Sequence, residues 1–232
     1  MTLTVHRQSY NSLPDDKDQP EVAKEVLDQL KVLLLKHNVQ EKFGYHLIHG
    51  HLKVVEGRVM FGKPMETLPG CYTRPTKVTQ LDTVGIHGHI FVLNKNAQFV
   101  AYEYRQGPIP EIDENDNAFL AEVQGFLVER GLETLVGIQV LNGDKGRQLR
   151  EFVLAENYGA IMLDAADANI TEVYCITGWS TQTEHESVEL KGNESHAATT
   201  KGTHQVFVDG KGLPDLDEDT VVNALRNAGI IN

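Results

Sequence analysis

Two short histidine-rich segments carry the side chains in this sequence that are best suited to chemistry. The pentapeptide Ile-His-Gly-His-Leu contains His49 and His51, and 38 positions later Ile-His-Gly-His-Ile contains His87 and His89. In an extended strand, side chains at positions i and i+2 lie on the same face. We therefore expect each pair of imidazoles to project together, at a separation that a single metal ion can bridge.

Four imidazole nitrogens from two neighbouring strands suit a divalent transition metal such as Zn, Fe or Cu. The pattern predicts a metal site formed by His49, His51, His87 and His89. A catalytic centre would leave one position on the ion open for water or substrate. The alternative is structural, with neutral imidazoles bonded to backbone carbonyls in ordinary strands.

The residues after the second pair add candidate acid–base groups. The segments GIHGHIFVLN and AQFVAYEYR are expected to form a hairpin with its turn near Lys95. If the hairpin loop has an even number of residues, Tyr102 and Tyr104 lie on the same face as the histidines. If the number is odd, Glu103 lies on that face instead. Each is a candidate catalytic residue, and a carboxylate there could also be a further ligand or could fix a ring tautomer.

The first half of the chain reads as one helix followed by strands. Apolar residues recur at helical spacing over residues 20–38, with Pro20 near the first turn. YHLIHGHLKV and GRVMFG predict a first hairpin that turns near residues 55–57. Residues 63–75, with three prolines and a glycine, predict a loop.

The second half predicts a helix in AFLAEVQGFLVERG, with Asn117 as N-cap and Gly131 just past its end. Strands follow, and then a polar loop over residues 180–203, which could fold over a pocket as a lid. His185, His196 and His204 punctuate that region and are expected to be solvated.

We expect three segments: a flexible N-terminal arm (1–19), a single domain (20–213) and a C-terminal helical tail (214–232). Strands dominate the middle of the chain, and helices lie at both ends and between strands. The predicted fold class is α+β, an antiparallel, strongly curved or barrel-like sheet with helices packed against it. Three consecutive leucines, Leu33 to Leu35, suggest a helix buried on two sides, either under the N-terminal arm or in a homodimer.

Composition excludes several classes of function. The net charge of −12 and the lack of a basic cluster argue against nucleic-acid binding. No apolar run is long enough for a membrane span. Two cysteines and no signal-like N-terminus predict a cytoplasmic protein.

Three stretches resemble a group of small, uncharacterised intracellular fungal proteins. They are HLIHGHLKVVEGRVM, FLAEVQGFLVERGLETLVGIQVL and REFVLAENYGAIML, and the resemblance spans much of residues 25–180. Only His49 and His51 carry over to the group's pattern of two apolar residues, His-x-His and an apolar residue. The group has a basic residue where this chain has Gly50, and it lacks the second pair. The resemblance implies a fungal protein and supplies no reaction.

These observations lead to three hypotheses. The first is a metal-dependent enzyme acting on a small molecule in specialised metabolism, of lyase, isomerase, hydrolase or oxygenase type. The second is a metal-free acid–base cyclase, dehydratase or isomerase that uses the same pocket. The third is a non-enzymatic interaction protein with structural histidines.

Overall fold

A closed β-barrel forms the centre of the molecule. The computed structural model describes residues 10–82, 84–108, 111–141, 143, 146–170, 172–184, 187–197, 205–208 and 216–232. The strands in these ranges are β1 (Phe43–Leu47), β2 (Arg58–Pro64), β3 (Gly70–Lys77), β4 (Ile86–Leu93), β5 (Phe99–Gln106), β6 (Val136–Val140), β7 (Leu149–Leu154), β8 (Gly159–Asp164), β9 (Val173–Glu184), β10 (Ser187–Ala197) and β11 (Gln205–Val206). The helices are α1 (Lys24–Lys36), α2 (Glu114–Arg130) and α3 (Glu218–Asn227).

Ten strands pair in the order β10-β9-β1-β6-β4-β5-β2-β3-β8-β7, and β7 pairs back with β10 to close the ring. The short strand β11 continues beside the end of β7. This confirms an α+β fold with a barrel-like sheet. The sheet is mixed, however, because β2–β5, β7–β10 and β7–β11 are parallel, so the expectation of a purely antiparallel sheet was only partly right.

Helices α1 and α2 cover one outer side of the barrel. Tyr45 points outward from β1 and donates a hydrogen bond to the Leu30 carbonyl of α1 at 2.9 Å. Leu30, Leu34 and Phe119 are completely buried in the same cluster, and each such side chain contributes roughly 1.5–3 kcal/mol by burial. Because alternate residues of a strand face opposite sides, this packing turns the next residue, His46, into the barrel.

Local sequence explains where the helices begin and end. Asp113 and Asp116 form a reciprocal capping box at the start of α2, with bonds of 2.8 and 2.9 Å, so Asp113 is the N-cap and not Asn117 as predicted. Gly131 ends α2 in a left-handed conformation, as expected. Helix α1 begins at Lys24, one turn after Pro20, and its N-cap Ala23 supplies no side-chain bond.

The C-terminal segment is part of the main body. Val221 and Leu225 of α3 are completely buried against Phe152 and Leu154, the outward residues of β7. A helix near the C-terminus is therefore confirmed, and it packs against the barrel.

Residues 10–19, here called the N-terminal strap, lie across the loop that follows β1. Tyr10 is 3% exposed, and the Gly50 amide donates to the Pro14 carbonyl at 2.9 Å. Asn11 exchanges two bonds with the backbone of Val54, at 2.8 and 2.9 Å. In the expected arm over residues 1–19, residues 10–19 thus contact the rest of the molecule, and residues 1–9 lie outside the described ranges.

Three other expectations were wrong. Strand β1 ends at Leu47 and pairs with β6 and β9, so it forms no hairpin with β2. Strand β3 occupies most of the predicted loop at 63–75. In the predicted polar loop at 180–203, residues 180–184 and 187–197 form the β9–β10 hairpin, whereas residues 198–203 lie outside the described ranges. The β4–β5 hairpin was predicted correctly.

Candidate metal centre

Three histidines and a glutamate meet inside one end of the barrel. His49 and His51 belong to the loop after β1, Glu151 to β7 and His196 to β10. One potential ligand atom from each residue lies within 4.8 Å of every other. His49, Glu151 and His196 are buried, and His51 is partly accessible.

The ε nitrogens of the three rings converge on the Glu151 carboxylate. His196 Nε2 is 2.9 Å from Glu151 Oε2, His51 Nε2 is 3.3 Å from Oε1, and His49 Nε2 is 3.8 Å from Oε2. The Nε2 atoms of His49 and His51 are 3.1 Å apart. Ligands of a tetrahedral ion with bonds of about 2.0–2.2 Å are separated by roughly 3.3–3.6 Å. The four donors therefore need shifts of the order of 1 Å to surround one ion.

The other nitrogen of two rings has a partner that leaves Nε2 facing the cluster. His49 Nδ1 is 2.7 Å from the Leu47 carbonyl, which can only accept, so Nδ1 carries the hydrogen. His196 Nδ1 is 2.8 Å from Asp16 Oδ2. Protein metal sites commonly use this arrangement, in which a carbonyl or carboxylate fixes the tautomer of a ligating histidine.

Charge is distributed unevenly among these rings. Burial lowers the pKa of His49 to about 3, so this ring is neutral. Burial also disfavours the charged form of His196, but its hydrogen bonds with Asp16 and Glu151 outweigh that effect and raise its pKa to about 9. Despite burial, the nearby His51 charge and the bonds with the histidines hold the pKa of Glu151 well below its usual range. Without an ion, the cluster is held together by a protonated His196 between two carboxylates.

Asp16 connects the N-terminal strap to this cluster. Its carboxylate accepts hydrogen bonds from the His196 ring and from the Tyr174 hydroxyl, and it is 5% exposed. Tyr174 and Asp16 also border a groove of about 580 Å³ outside the barrel, whose walls include Val173 and Ile176. Both side chains also contact the His196 ring, at 2.8 Å for Asp16 and 3.0 Å for Tyr174, so they lie between the groove and the cluster.

A small polar chamber adjoins the cluster inside the barrel. It offers about 20 Å³ to a water-sized sphere, roughly enough for one water molecule. Its walls include His46, His49, His89, Thr73, Glu103, Arg105, Glu151 and Glu194. Glu194 is 1% exposed. Its Oε1 accepts a bond from Gln139, whereas its Oε2 has no hydrogen-bond partner among the described residues and lies 3.5 Å from His46 Nε2.

Glu103 of this chamber, and Tyr102 beside it, could transfer protons. Burial, and next the charge of Glu151, raise the pKa of Glu103 to about 7, near the value that suits an acid–base catalyst. The Tyr102 hydroxyl lies 3.3 Å from His46 Nδ1. Burial raises the pKa of Tyr102 well above its usual value, so its hydroxyl stays protonated.

The structure brings some of the predicted site residues together and separates others. His49 and His51 share the cluster. His89 lines the chamber, with Nδ1 lacking a hydrogen-bond partner among the described residues, whereas His87 pairs across the sheet with Arg105 near the start of β4. Neither of the last two belongs to the four-residue group.

The register of the β4–β5 hairpin explains the positions of the three acid–base candidates. Five residues separate Leu93 from its partner Phe99, and a bulge at His89 places Ile90 opposite Glu103. Glu103 and His89 both line the chamber, the placement given by the odd-loop alternative, although the bulge makes Ile90 the direct cross-strand partner of Glu103. Tyr102 also reaches the interior, whereas Tyr104 packs in a separate apolar cluster with Val59, Ile86 and Ala101.

Four residues of the site were missed from the sequence. His196, expected to be solvated, is completely buried, and Asp16 was assigned to a loose arm. Glu151 gave one usable signal, a carboxylate inside a strand whose other residues are apolar apart from Arg150. In a continuous strand, parity would place His46 on the face opposite His49, but the strand ends at Leu47 and the chain turns, so the two rings stack with centroids 5.2 Å apart. His185 and His204 lie outside the described residues.

Comparisons with protein families, with curated proteins and with solved structures find no match for this chain. The resemblance to fungal proteins therefore stays a prediction. In the described part of the chain, no helix has both the length and the apolar character needed to cross a membrane.

Proposed function

We propose that this protein binds one divalent transition-metal ion through His49, His51, Glu151 and His196, and that it is a metal-dependent enzyme acting on a small molecule. The observation that carries the proposal is the convergence of three Nε2 atoms on one carboxylate, with two of the rings oriented by Leu47 and Asp16. Nitrogen ligands with one carboxylate suit Zn, Fe and Cu.

The excess of acidic side chains inside the barrel favours the binding of a cation. Three glutamates, Glu103, Glu151 and Glu194, line the chamber, and Arg105 is the cationic side chain among its described walls. Without an ion, protonated His196 offsets the charge of Glu151, but Arg105 is the cation that faces the other two glutamates, and unbalanced buried carboxylates are unfavourable by several kcal/mol. A divalent ion beside Glu151 would offset this cost.

Each residue then has a specific task. The four ligands would hold the ion, which supplies Lewis acidity or an activated water. Glu103 would accept or donate a proton in the chamber, and Tyr102 would orient His46. Asp16 would keep the His196 hydrogen on Nδ1.

The test is the metal content of protein purified without a metal-binding tag. We expect about one equivalent of a transition metal in the wild type, and its loss in the double variant His49→Ala/His51→Ala and in His196→Ala. The control is His37→Ala, a histidine that bonds Glu122 outside the barrel. Full metal content in the double variant would overturn the proposal.

A second double variant separates this site from the one predicted by spacing alone. His87→Ala/His89→Ala should leave the metal content unchanged, because neither ring belongs to the convergent group. Loss of metal in this variant, with retention in His196→Ala, would instead favour the four-histidine site.

The second candidate is metal-free acid–base catalysis in the same chamber. The observation that favours it is the pKa of Glu103 near 7. Under this alternative, the purified protein would contain no transition metal and its reaction would survive a chelator.

A further inference from the structure

A second cavity, here called the mouth, lies at the end of the chamber away from the N-terminal strap. It has a volume of about 260 Å³, just below the range of roughly 300–1,000 Å³ that is usual for ligand pockets, which suits one small group. Arg105 and Met162 line both the mouth and the chamber. These two side chains therefore form the boundary between them.

The strands lead directly from the mouth to the proposed metal ligands. Leu149 lines the mouth, and Glu151, two residues further along β7, lines the chamber. On β3, Cys71 lines the mouth and Thr73 the chamber. Residues i and i+2 of a strand share a face about 7 Å apart. A ligand group in the mouth is therefore roughly one layer of side chains from Glu151.

The mouth differs in charge from the rest of the protein. The chain carries a net charge of −12, yet both charged residues among the described walls of the mouth are arginines, Arg105 and Arg147. Arg147 Nε is 3.3 Å from Asp164 Oδ2, and its side chain is 40% exposed. A guanidinium has five N–H donors in a planar fork, so it can hold more than one acceptor, and the fork matches carboxylate and phosphate oxygens.

We propose that the mouth binds the oxyanion group of a small substrate, a carboxylate or a phosphate, between Arg105 and Arg147, so that the rest of the molecule points through the boundary toward Glu151. This inference deepens the proposed function and rests on it for the identity of the inner site. It assigns the substrate class: a small anionic molecule, held at one end by arginine and presented to the chamber at the other.

The field of Arg105 in the chamber agrees with this arrangement. After burial, the charge of Arg105 is the next cause that lowers the pKa of both His87 and His89. Arg105 thus acts electrostatically on the chamber while it borders the mouth. An anion beside it would meet positive charge at the point of entry.

The experiment is calorimetric titration of succinate and, separately, of inorganic phosphate into metal-free protein in a chloride buffer at pH 7. We expect saturable binding of at least one probe, weakened at least tenfold in Arg147→Gln and in Arg105→Gln. Stronger binding of succinate would identify a carboxylate, and stronger binding of phosphate a phosphorylated molecule. The control is Arg130→Gln on the outer face of α2, which removes the same charge and should change affinity less than twofold.

Two results would overturn the inference: no binding of either probe at 10 mM (about the weakest affinity of interest for a small ligand), or equal weakening in Arg130→Gln and Arg147→Gln. If Arg105→Gln fails to fold, the affinity of Arg147→Gln alone tests the inference, because Arg147 is partly exposed. Because the titration uses metal-free protein, it is independent of metal content. Oxyanion binding without any metal site would overturn the proposed function only, and a metal site without oxyanion binding would overturn the mouth only.

Discussion

The hydrogen-bond partner of Nδ1 distinguishes the imidazoles of this protein more than their spacing in the sequence does. His49 donates to the Leu47 carbonyl and His196 is bonded to Asp16, so both present Nε2 to Glu151. His89 has the same i, i+2 spacing as His51 but no place in that group. Spacing in the sequence identifies residues that can be neighbours, whereas the hydrogen bond to the far nitrogen determines which atom is presented to an ion.

Asp16 should matter for metal affinity without being a ligand. Asp16→Asn keeps the size of the side chain but removes the charge that orients His196, and loss of such a partner typically weakens metal binding 10–100-fold. Competition with a chromophoric chelator would measure the change. Asp18→Asn, an exposed position in the same N-terminal strap, is the control, and equal effects of the two variants would contradict the role given to Asp16.

Glu103 should make stability depend on pH. An acid whose pKa rises from 4.5 to about 7 on folding binds more protons in the folded state between these values, so the free energy of unfolding falls as pH rises through this window. Glu103→Gln removes the effect. Relative to the wild type, the variant should therefore gain about 2–3 kcal/mol between pH 5 and pH 8.

Urea unfolding at the two pH values would test this prediction. Glu129→Gln, on the exposed face of α2, should shift the free energy of unfolding equally at both. A Glu103→Gln variant whose difference from the wild type does not change with pH would show that burial leaves the carboxyl pKa near 4.5.

At the scale of elements, the crowded contact between β4 and β6 determines how the barrel closes beside His46. A Cβ on Gly137 would overlap the Phe91 carbonyl oxygen, which belongs to the backbone and cannot rotate away. Gly137→Ala should therefore lower the free energy of unfolding by about 1–3 kcal/mol or more. Chemical denaturation would measure it.

Gly125 is the matched control, because a Cβ there meets nothing within 4 Å in the middle of helix α2. Gly125→Ala should raise the free energy of unfolding by roughly 0.5–1 kcal/mol. The same sign of change in both variants would contradict the steric argument for Gly137.

Elements with a local signal could be predicted from the sequence, and those that depend on distant partners could not. The periodicity of α2 and the turn between β4 and β5 act within a few residues, and both were predicted correctly. Strand β1 looked like half of a hairpin because the histidines continue its pattern, but its partners β6 and β9 lie about 90 and 130 residues away. The polar strand β10 has little apolar material, and it is ordered by pairing with β9 and β7.

For the same reason, only two of the four residues of the candidate metal site could be predicted from the sequence. His49 and His51 are two positions apart in the sequence, whereas Glu151 and His196 reach them through closure of the barrel. No short pattern connects Asp16 with His196, which are 180 positions apart. Their pairing is a property of the topology.

At the scale of the whole molecule, a bound ion should stabilise the fold. A ligand that binds only the folded state at one hundred times its dissociation constant adds about 2.7 kcal/mol. For a chain of this length, that is a rise of roughly 5–10 °C in the unfolding temperature. Differential scanning fluorimetry with added Zn²⁺ would measure it.

The double variant His49→Ala/His51→Ala should lose this rise, and His37→Ala should keep it. An equal rise in all three proteins would assign the stabilisation to weak binding at surface carboxylates.

Asp16 of the N-terminal strap contacts His196 of β10, which lies 180 positions later in the chain. During synthesis on the ribosome, Asp16 therefore emerges long before its partner His196. A nascent chain that stops before residue 196 would have His49, His51 and Glu151 but would lack His196, the last of the four proposed ligands. The complete set of four ligands would thus exist only after residue 196 has been synthesised and β10 has paired with β7.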